Sequence, residues 1–462
     1  MMKTIKYILA ITLAFAPGIA MAAANGNDLL YGESLTARNM TVADCPSITA
    51  KHAILMAKDG TIIYERDADT PAKIASMTKI MTAIIGMENA ELTDQLEIND
   101  QAVKVGESSA GFWVGDKLDI KSALYALMVP SGNDAAEAIC EYVGQKAVDN
   151  KDDKIRKKSP EDVKAEAKEK DIDEEDVPDV YITNKDEAFC ELMNQKAAEI
   201  GCENTCFTNP HGLDDAEFQN DNQHSTAKDM AKITQYAMQN DLFRQIVSMG
   251  DTTIKVDRKG EQVELKLAST DALLGAYHGC IGVKTGVTDQ AGACFSGAAV
   301  DDSGIEIYSI IMHSDNEAQR FIDTQGLWDW YFTNKVDYNL NNDDGVAAYV
   351  SHKDWADSCI PTTAEKTVPI LTIAGNVYFH VEPNEVGGSY KAGDKVADMV
   401  CTQHNKEIAR VPLLAIKDAP APNIFEMIGV CFDRLGKILT GQPTCAQTTI
   451  MTKQEAFKKV GK

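Results

Sequence analysis

The sequence predicts an α/β domain, an antiparallel sheet with helical layers, followed by a small all-β domain and a C-terminal amphipathic helix. Three observations lead there. Strand-like runs bracket helical stretches in the first two thirds of the chain, short runs separated by Gly and Asn turns follow Trp330, and an apolar stripe of helical period comes near the end. At 462 residues the chain has room for two domains.

Lys3 and Lys6 precede an apolar run from Tyr7 to Ala16, and Ala20-Met21-Ala22 puts small residues at cleavage positions, so 1–22 reads as a secretory signal peptide. The run is shorter than the roughly 20 apolar residues that cross a bilayer. The first domain is expected over 45–338. It opens with Ala53–Ala57 and Thr61–Tyr64, two strand-like runs joined through Asp59-Gly60, a hairpin signal because glycine accepts positive φ. Helical stretches are expected from Ser76 and over 120–128, and strands return at 280–284, 293–300 and 305–312. Between them, 150–186 is dominated by Lys, Asp and Glu, with Tyr181 its only aromatic residue. Within it Ser159-Pro160 is a helix start, Ser as N-cap and Pro at the first helical position, so Val163–Lys170 is expected as a solvated helix, with a disordered loop as the alternative.

Beyond Trp330 the runs at 369–372, 377–381, 396–401 and 408–415 predict a β-rich domain over 345–416. Ala419-Pro420-Ala421-Pro422-Asn423 makes a stiff linker. In the helix expected over 423–440, Ile424, Met427, Ile428, Cys431, Phe432, Leu435, Ile438 and Leu439 share one stripe. A helix in a membrane interface and a helix docked on its own domain share that pattern. The last segment, 441–462, is expected to be a polar, disordered tail.

The formal charge is −25, and removal of 1–22, which holds two lysines and no acids, makes it −27. An acidic surface disfavours nucleic acid. All eleven cysteines follow residue 22, which agrees with an oxidising, extracytoplasmic location, and the odd number leaves at least one thiol unpaired. Cys202 with Cys206, Cys280 with Cys294, and Cys359 with Cys401 are candidate pairs. His211 and His224 have no further His, Cys or carboxylate at ligand spacing, so no metal is expected, and nothing implies an organic cofactor.

Three short motifs stand in chain order: Ser76-Met77-Thr78-Lys79, Ser131-Gly132-Asn133 and Lys284-Thr285-Gly286. Singly they read as a helix N-cap, a surface turn and a strand end; the ordered set describes serine acyl transfer. Ser76 and Lys79 are three apart, which on a helix sets hydroxyl and amine on one face. A lysine serves as base only where desolvation or a second cation holds it neutral, and Lys284 is a candidate for that cation. Ser131 would relay a proton toward the leaving group, and Asn133 would orient the substrate's peptide bond.

The surrounding text resembles the D-alanyl-D-alanine carboxypeptidases, low-molecular-mass penicillin-binding proteins that trim peptidoglycan stem peptides. The resemblance runs from Ala53 to Trp330 and includes Thr78–Ala83, Val129–Ala136, Asn209–Leu213, His224–Ala231 and Gly282–Thr288. It implies a transpeptidase/β-lactamase-like catalytic domain, and it makes 150–186 an insertion between two helices. Ser76 would carry the acyl group, Lys79 would be the acylation base, and Ser131, Asn133 and Lys284 would line the site. Thr285, beside Gly286, would hold the terminal carboxylate, and the backbone N–H groups of Ser76 and Val287 would form the oxyanion hole. Losing one such donor typically costs roughly 3 to 4 kcal/mol. Arg320 would stand near the substrate carboxylate; the alternative is a solvated surface charge. Val287 replaces a histidine of some relatives, and Lys228 stands where arginine is usual.

The implied partners are a stem peptide ending in D-Ala-D-Ala, β-lactams that acylate Ser76, and the membrane surface through 424–439, which would place the protein at the outer face of the cytoplasmic membrane or in the cell wall. Two other readings remain. A serine β-lactamase of class A would carry Glu-x-x-x-Asn where Asn209–Leu213 stands, and a catalytically silent wall-binding protein would keep the same fold.

Overall fold

The structure, a computed structural model, describes residues 27–157, 164, 168, 181–214, 222–365, 367–384 and 387–451. In chain order the strands of the first domain are β1 (Leu29–Leu30), β2 (Glu33–Ser34), β3 (His52–Ala57), β4 (Ile62–Arg66), β5 (Gln95–Glu97), β6 (Lys117–Asp119), β7 (Thr252–Arg258), β8 (Glu261–Leu267), β9 (Cys280–Thr288), β10 (Gly292–Val300) and β11 (Glu306–Ser314). Its helices are α1 (Lys79–Asn89), α2 (Asp100–Lys104), α3 (Ile120–Met128), α4 (Asn133–Asn150), α5 (Lys185–Ile200), α6 (Ala227–Ala237), α7 (Asp241–Val247) and α8 (Gln319–Asn334). An antiparallel seven-stranded sheet runs β2-β1-β4-β3-β11-β10-β9, and β5 to β8 form a four-stranded sheet apart from it.

The pairing of β3 with β11, from Ile307 opposite Ala57 to Met312 opposite His52, closes the sheet between early and late chain and leaves β9 on the edge. Both faces are covered, which is why β3 is apolar at successive positions. Ile54 and Met56 face a core with α1, α3, α4, α5 and α6. Ala53 and Leu55 face the opposite core, with Leu327, Trp328 and Tyr331 of α8.

The first domain begins before the expected boundary at residue 45. β1 pairs with β4, and Arg66 donates to both oxygens of Asp28 at 2.8 and 3.0 Å, buried. Two-residue strands carry no periodicity, so the sequence concealed them. Beyond α8, a six-stranded antiparallel sheet runs Val377–Pro383, Lys395–Gln403, Lys406–Ala415, Cys359–Ala364, Ala348–Ser351, Thr449–Ile450. Its last strand corrects the expectation of a disordered tail from 441, since Ile450 and Thr449 pair with Ala348 and Tyr349. The boundary at 338 is also corrected, because Lys335–Tyr338 pairs with Val368–Leu371 and ties the exit from α8 into the β-rich domain.

The remaining helix, α9 (Ile424–Thr440), is capped by Asn423, whose side chain accepts from Phe425 and Glu426, and ends at Gly441 with φ 68°. Its polar side meets its own domain, Arg434 donating to the carbonyls of Lys353 and Trp355 and Lys437 pairing with Asp357. The apolar stripe faces away: Ile424 and Leu439 are 71 and 79 % exposed, and Phe425 beside the stripe is 82 % exposed. No helix among the described residues is long and apolar enough to cross a membrane.

All eleven cysteines are free thiols, so the three candidate disulfides are not formed. The register explains two of them. Cys280 lies opposite Ala299 while Cys294 lies opposite Gly286, at separate places along the β9/β10 ladder, and the strand Lys406–Ala415 runs between those carrying Cys359 and Cys401. No group of three or more metal-ligating side chains occurs among the described residues. The signal peptide lies outside the described residues, as does the expected helix Val163–Lys170 apart from Lys164 and Lys168, which are helical.

Candidate active site

Ser76 lies in a single 3-10 turn, Ala75–Thr78, that leads into α1. Ala75, just before it, has φ 48°, a left-handed conformation that turns the chain sharply at Ser76. Two glycines let other backbone approach. A Cβ on Gly212, whose φ is 86°, would stand 2.0 Å from the Ala75 carbonyl oxygen, and one on Gly286 would stand 3.1 Å from the Ser76 amide nitrogen. Asn209 Oδ1 accepts from Gly212 N at 2.6 Å, and Thr82 Oγ1 donates to the Pro210 carbonyl at 2.5 Å, so Asn209–Leu213 is clamped against the start of α1.

Lys79 is wholly buried. Its Nζ lies 2.8 Å from Ser76 Oγ, and it donates to Asn133 Oδ1 at 2.6 Å and to the His211 carbonyl at 3.2 Å. Burial pushes its pKa down to about 7, against the opposing pull of Asp134 and Glu107. Desolvation is thus the leading cause, and the expected help from a second cation is not among the causes. The repulsion between the two lysines falls on Lys284, which burial, Lys79 and Arg320 together hold well below the usual lysine range. His211 is buried and its imidazole is pushed down to about 3, so it is neutral and contributes its backbone oxygen.

Ser131 and Asn133 form the facing wall, at the turn from α3 into α4. Ser131 is buried with φ 65°, a costly conformation for a residue with a Cβ. Asn133 is held at both ends of its amide, Nδ2 donating to the Gly106 carbonyl at 2.9 Å while Oδ1 receives Lys79. Its backbone N–H donates to Ser108 O at 2.7 Å, and Asp134 accepts from Ser109 Oγ at 2.6 Å and from Ala110 N at 2.9 Å. The loop from Gly106 to Gly111 is therefore welded to the catalytic motif.

On the edge strand β9, Lys284 is buried and Thr285 Oγ1 shares a 2.7 Å hydrogen bond with Thr270 Oγ1. Val287 is 44 % exposed at the end of the motif. Arg320 is buried, not the solvated charge of the alternative reading, and its Nη1 donates to the Gly286 carbonyl at 3.0 Å. Lys228 pairs with Asp69 at 2.9 Å and with Glu65 at 3.5 Å.

All nine residues singled out from the sequence thus fall on elements that meet around Ser76. Two neighbours of these residues escaped it. The His211 carbonyl meets Lys79 through the backbone, which residue type does not reveal. Asp271 is pushed up to about 6 by burial, against Lys284 and Arg320, so its carboxylate shares their electrostatic environment; only its neighbourhood to Thr270 could have hinted at it.

The family model described as D-alanyl-D-alanine carboxypeptidase matches residues 39–150 and 180–316, and the gap from 151 to 179 coincides with the charged segment. The chain is 23 % identical over 380 residues to D-alanyl-D-alanine carboxypeptidase DacF of Bacillus subtilis, covering 80 % of this chain and 85 % of that one. It is 31 % identical over 280 residues to the D-alanyl-D-alanine carboxypeptidase of Streptomyces strain K15, covering 59 % and 83 %. Among solved structures, the Streptomyces K15 DD-transpeptidase superposes with a TM-score of 0.51 at 29 % identity, over 62 % of this chain and 98 % of that one. DacD of Francisella tularensis, at 22 % identity and a TM-score of 0.53 over 81 % of this chain and 94 % of its own, shares the fold.

Proposed function

Because the chain belongs to the D-alanyl-D-alanine carboxypeptidase family, we propose that its serine-type removal of the terminal D-Ala from peptidoglycan pentapeptide runs through an acyl group on Ser76 Oγ, with Lys79 as the base. Its substrate is the stem peptide ending in D-Ala-D-Ala, and it binds β-lactams. The observation that carries the assignment is the hydrogen-bond count at Lys79. A neutral amine has two N–H bonds and one lone pair. With Lys79 deprotonated, as a pKa of about 7 permits, the Asn133 and His211 oxygens take its two N–H bonds, and the lone pair is left for the Ser76 hydroxyl proton.

In acylation, Ser76 Oγ attacks the carbonyl carbon of the penultimate D-Ala as its proton passes to Lys79 Nζ. The negative charge that develops on the carbonyl oxygen is held by the backbone N–H groups of Ser76 and Val287. Lys79 hands that proton to Ser131 as Ser131 gives its own hydroxyl proton to the departing D-Ala nitrogen, so that the C–N bond breaks and Lys79 is again a free amine. Thr285, Arg320 and Lys284 face the carboxylate of the leaving residue, the guanidinium in the planar geometry a carboxylate matches. Water then attacks the ester, Lys79 taking its proton and returning it to Ser76 Oγ as the ester bond breaks, and the tetrapeptide leaves.

Purified protein mixed with a fluorescent penicillin and with diacetyl-Lys-D-Ala-D-Ala, as wild type and as Ser76→Ala, tests this. Stable labelling and D-Ala release, both lost in the variant, are expected. Rapid penicillin turnover without D-Ala release would mean a β-lactamase, and neither activity would mean a silent wall-binding protein.

The protein acts outside the cytoplasm, as its cell-wall substrate requires. We further propose that 1–22 is a cleaved signal peptide and that α9 lies in the membrane interface. Support for the second comes from the side on which the helix docks, since its polar residues hold the β-rich domain and its apolar stripe is left outward.

A further inference from the structure

Trp113 is 59 % exposed and its neighbour Val114 55 %, on a loop whose other large apolar residue, Phe112, is buried. The ring is not loose. The Arg258 guanidinium lies 4.0 Å from its centroid, and Arg258 is itself fixed by two hydrogen bonds to the buried Asp116, at 2.8 and 2.7 Å. Asp116 also accepts from Trp113 N at 2.9 Å, so backbone and ring are pinned by one carboxylate. The cation covers one side of the indole, and the exposure leaves the rest of the ring open to solvent. Two residues away, Gly111 belongs to the loop that Asp134 and Asn133 hold against the active site.

We propose that Trp113, backed by Arg258, is a subsite for a sugar ring of the glycan strand to which the stem peptide is attached. The axial C–H bonds of a β-linked amino-sugar are weakly positive and suit the negative face of an aromatic ring. A cation behind that ring and a loop pinned by Asp116 leave little freedom to be lost on binding. Trp113 stands five residues from Ser108, so at most about 18 Å along the chain separates the ring from that residue. Through the hydrogen bond to Asn133, Ser108 is in turn tied to the reacting centre.

The inference rests on the carboxypeptidase reading, and D-Ala release from free pentapeptide tests that reading separately. The measurement is kcat/KM for disaccharide-pentapeptide relative to free pentapeptide. The ratio is expected to exceed one in wild type, to fall about tenfold in Trp113→Ala, and to be largely kept in Trp113→Phe. Should the alanine variant fail to fold, Trp113→Leu carries the same comparison, with apolar bulk and no π face. An equal loss on both substrates, or a ratio unchanged within twofold, would overturn the subsite and leave the ring a support for the loop. The same disaccharide occurs in polymeric wall and on a lipid carrier, and repeating the assay with each separates those sources.

Discussion

At the scale of single residues, the site is governed by desolvation. Lys79 is useful only as a free amine, and burial brings its pKa down to about 7. Since the deprotonated form is the proposed base, the rate of Ser76 acylation by penicillin should rise with pH through about 7 and level off above it. A rate flat from pH 5 to 9 would exclude Lys79 as base. Lys79→Arg keeps the charge and loses the lone pair, and is expected to lower acylation by roughly three orders of magnitude or more, read as labelling rate at fixed penicillin. Asp271 makes a subtler case. Its carboxylate stands in the field of Lys284 and Arg320, the two cations proposed to meet the substrate carboxylate, and so opposes them. Asp271→Asn should lower KM for a D-Ala-D-Ala peptide about fivefold, roughly 1 kcal/mol, with kcat nearly unchanged. A rise in KM would show that the carboxylate supports the site.

Elements matter here mainly as close approaches of backbone. The segment Asn209–Leu213 meets the 3-10 turn of Ser76 where Gly212 passes the Ala75 carbonyl with no room for a side chain. Gly212→Ala must both strain a positive φ and push the two segments apart. Penicillin acylation should fall at least tenfold, with several degrees lost in Tm, whereas Gly201→Ala, at similar φ but with nothing within 4 Å of a new Cβ, should lose stability and retain acylation. The apolar stripe of α9 invites a vesicle test. Phe425→Glu with Phe432→Glu removes two side chains, each worth roughly 1.5 to 3 kcal/mol when buried. Co-sedimentation with zwitterionic vesicles should fall about a hundredfold, while hydrolysis of a soluble tripeptide persists. Undiminished co-sedimentation would take the helix out of the interface.

Across the whole molecule the two domains share one apolar core. Phe295 and Ile311 of the central sheet, Trp328 and Tyr331 of α8, and Ile370, Met399 and Leu413 of the β-rich domain belong to a single buried cluster. Calorimetry should therefore show one cooperative unfolding transition, and two well-separated transitions would mean that the domains do not stabilise each other. Acidity of the whole chain, −25, gives anionic lipid no reason to strengthen membrane attachment, so apolar burial by α9 must supply it.

By itself the sequence determined the family and the order of its three motifs. Ser76, Lys79, Ser131, Asn133 and Lys284 were legible because each is proposed to act through a side chain whose type and spacing the sequence displays. The long elements were legible too, as with α3 over 120–128, because periodicity accumulates over several turns. Only the tertiary structure decided the rest. Short strands such as β1, β2 and Thr449–Ile450 are held by pairing and not by their own pattern. The depressed pKa of Lys79 comes from everything packed around it, the role of His211 lies in a carbonyl that every residue possesses, and the outward face of α9 was settled by which side its own domain captured. Those are properties of surroundings, and surroundings exist only once the chain has folded.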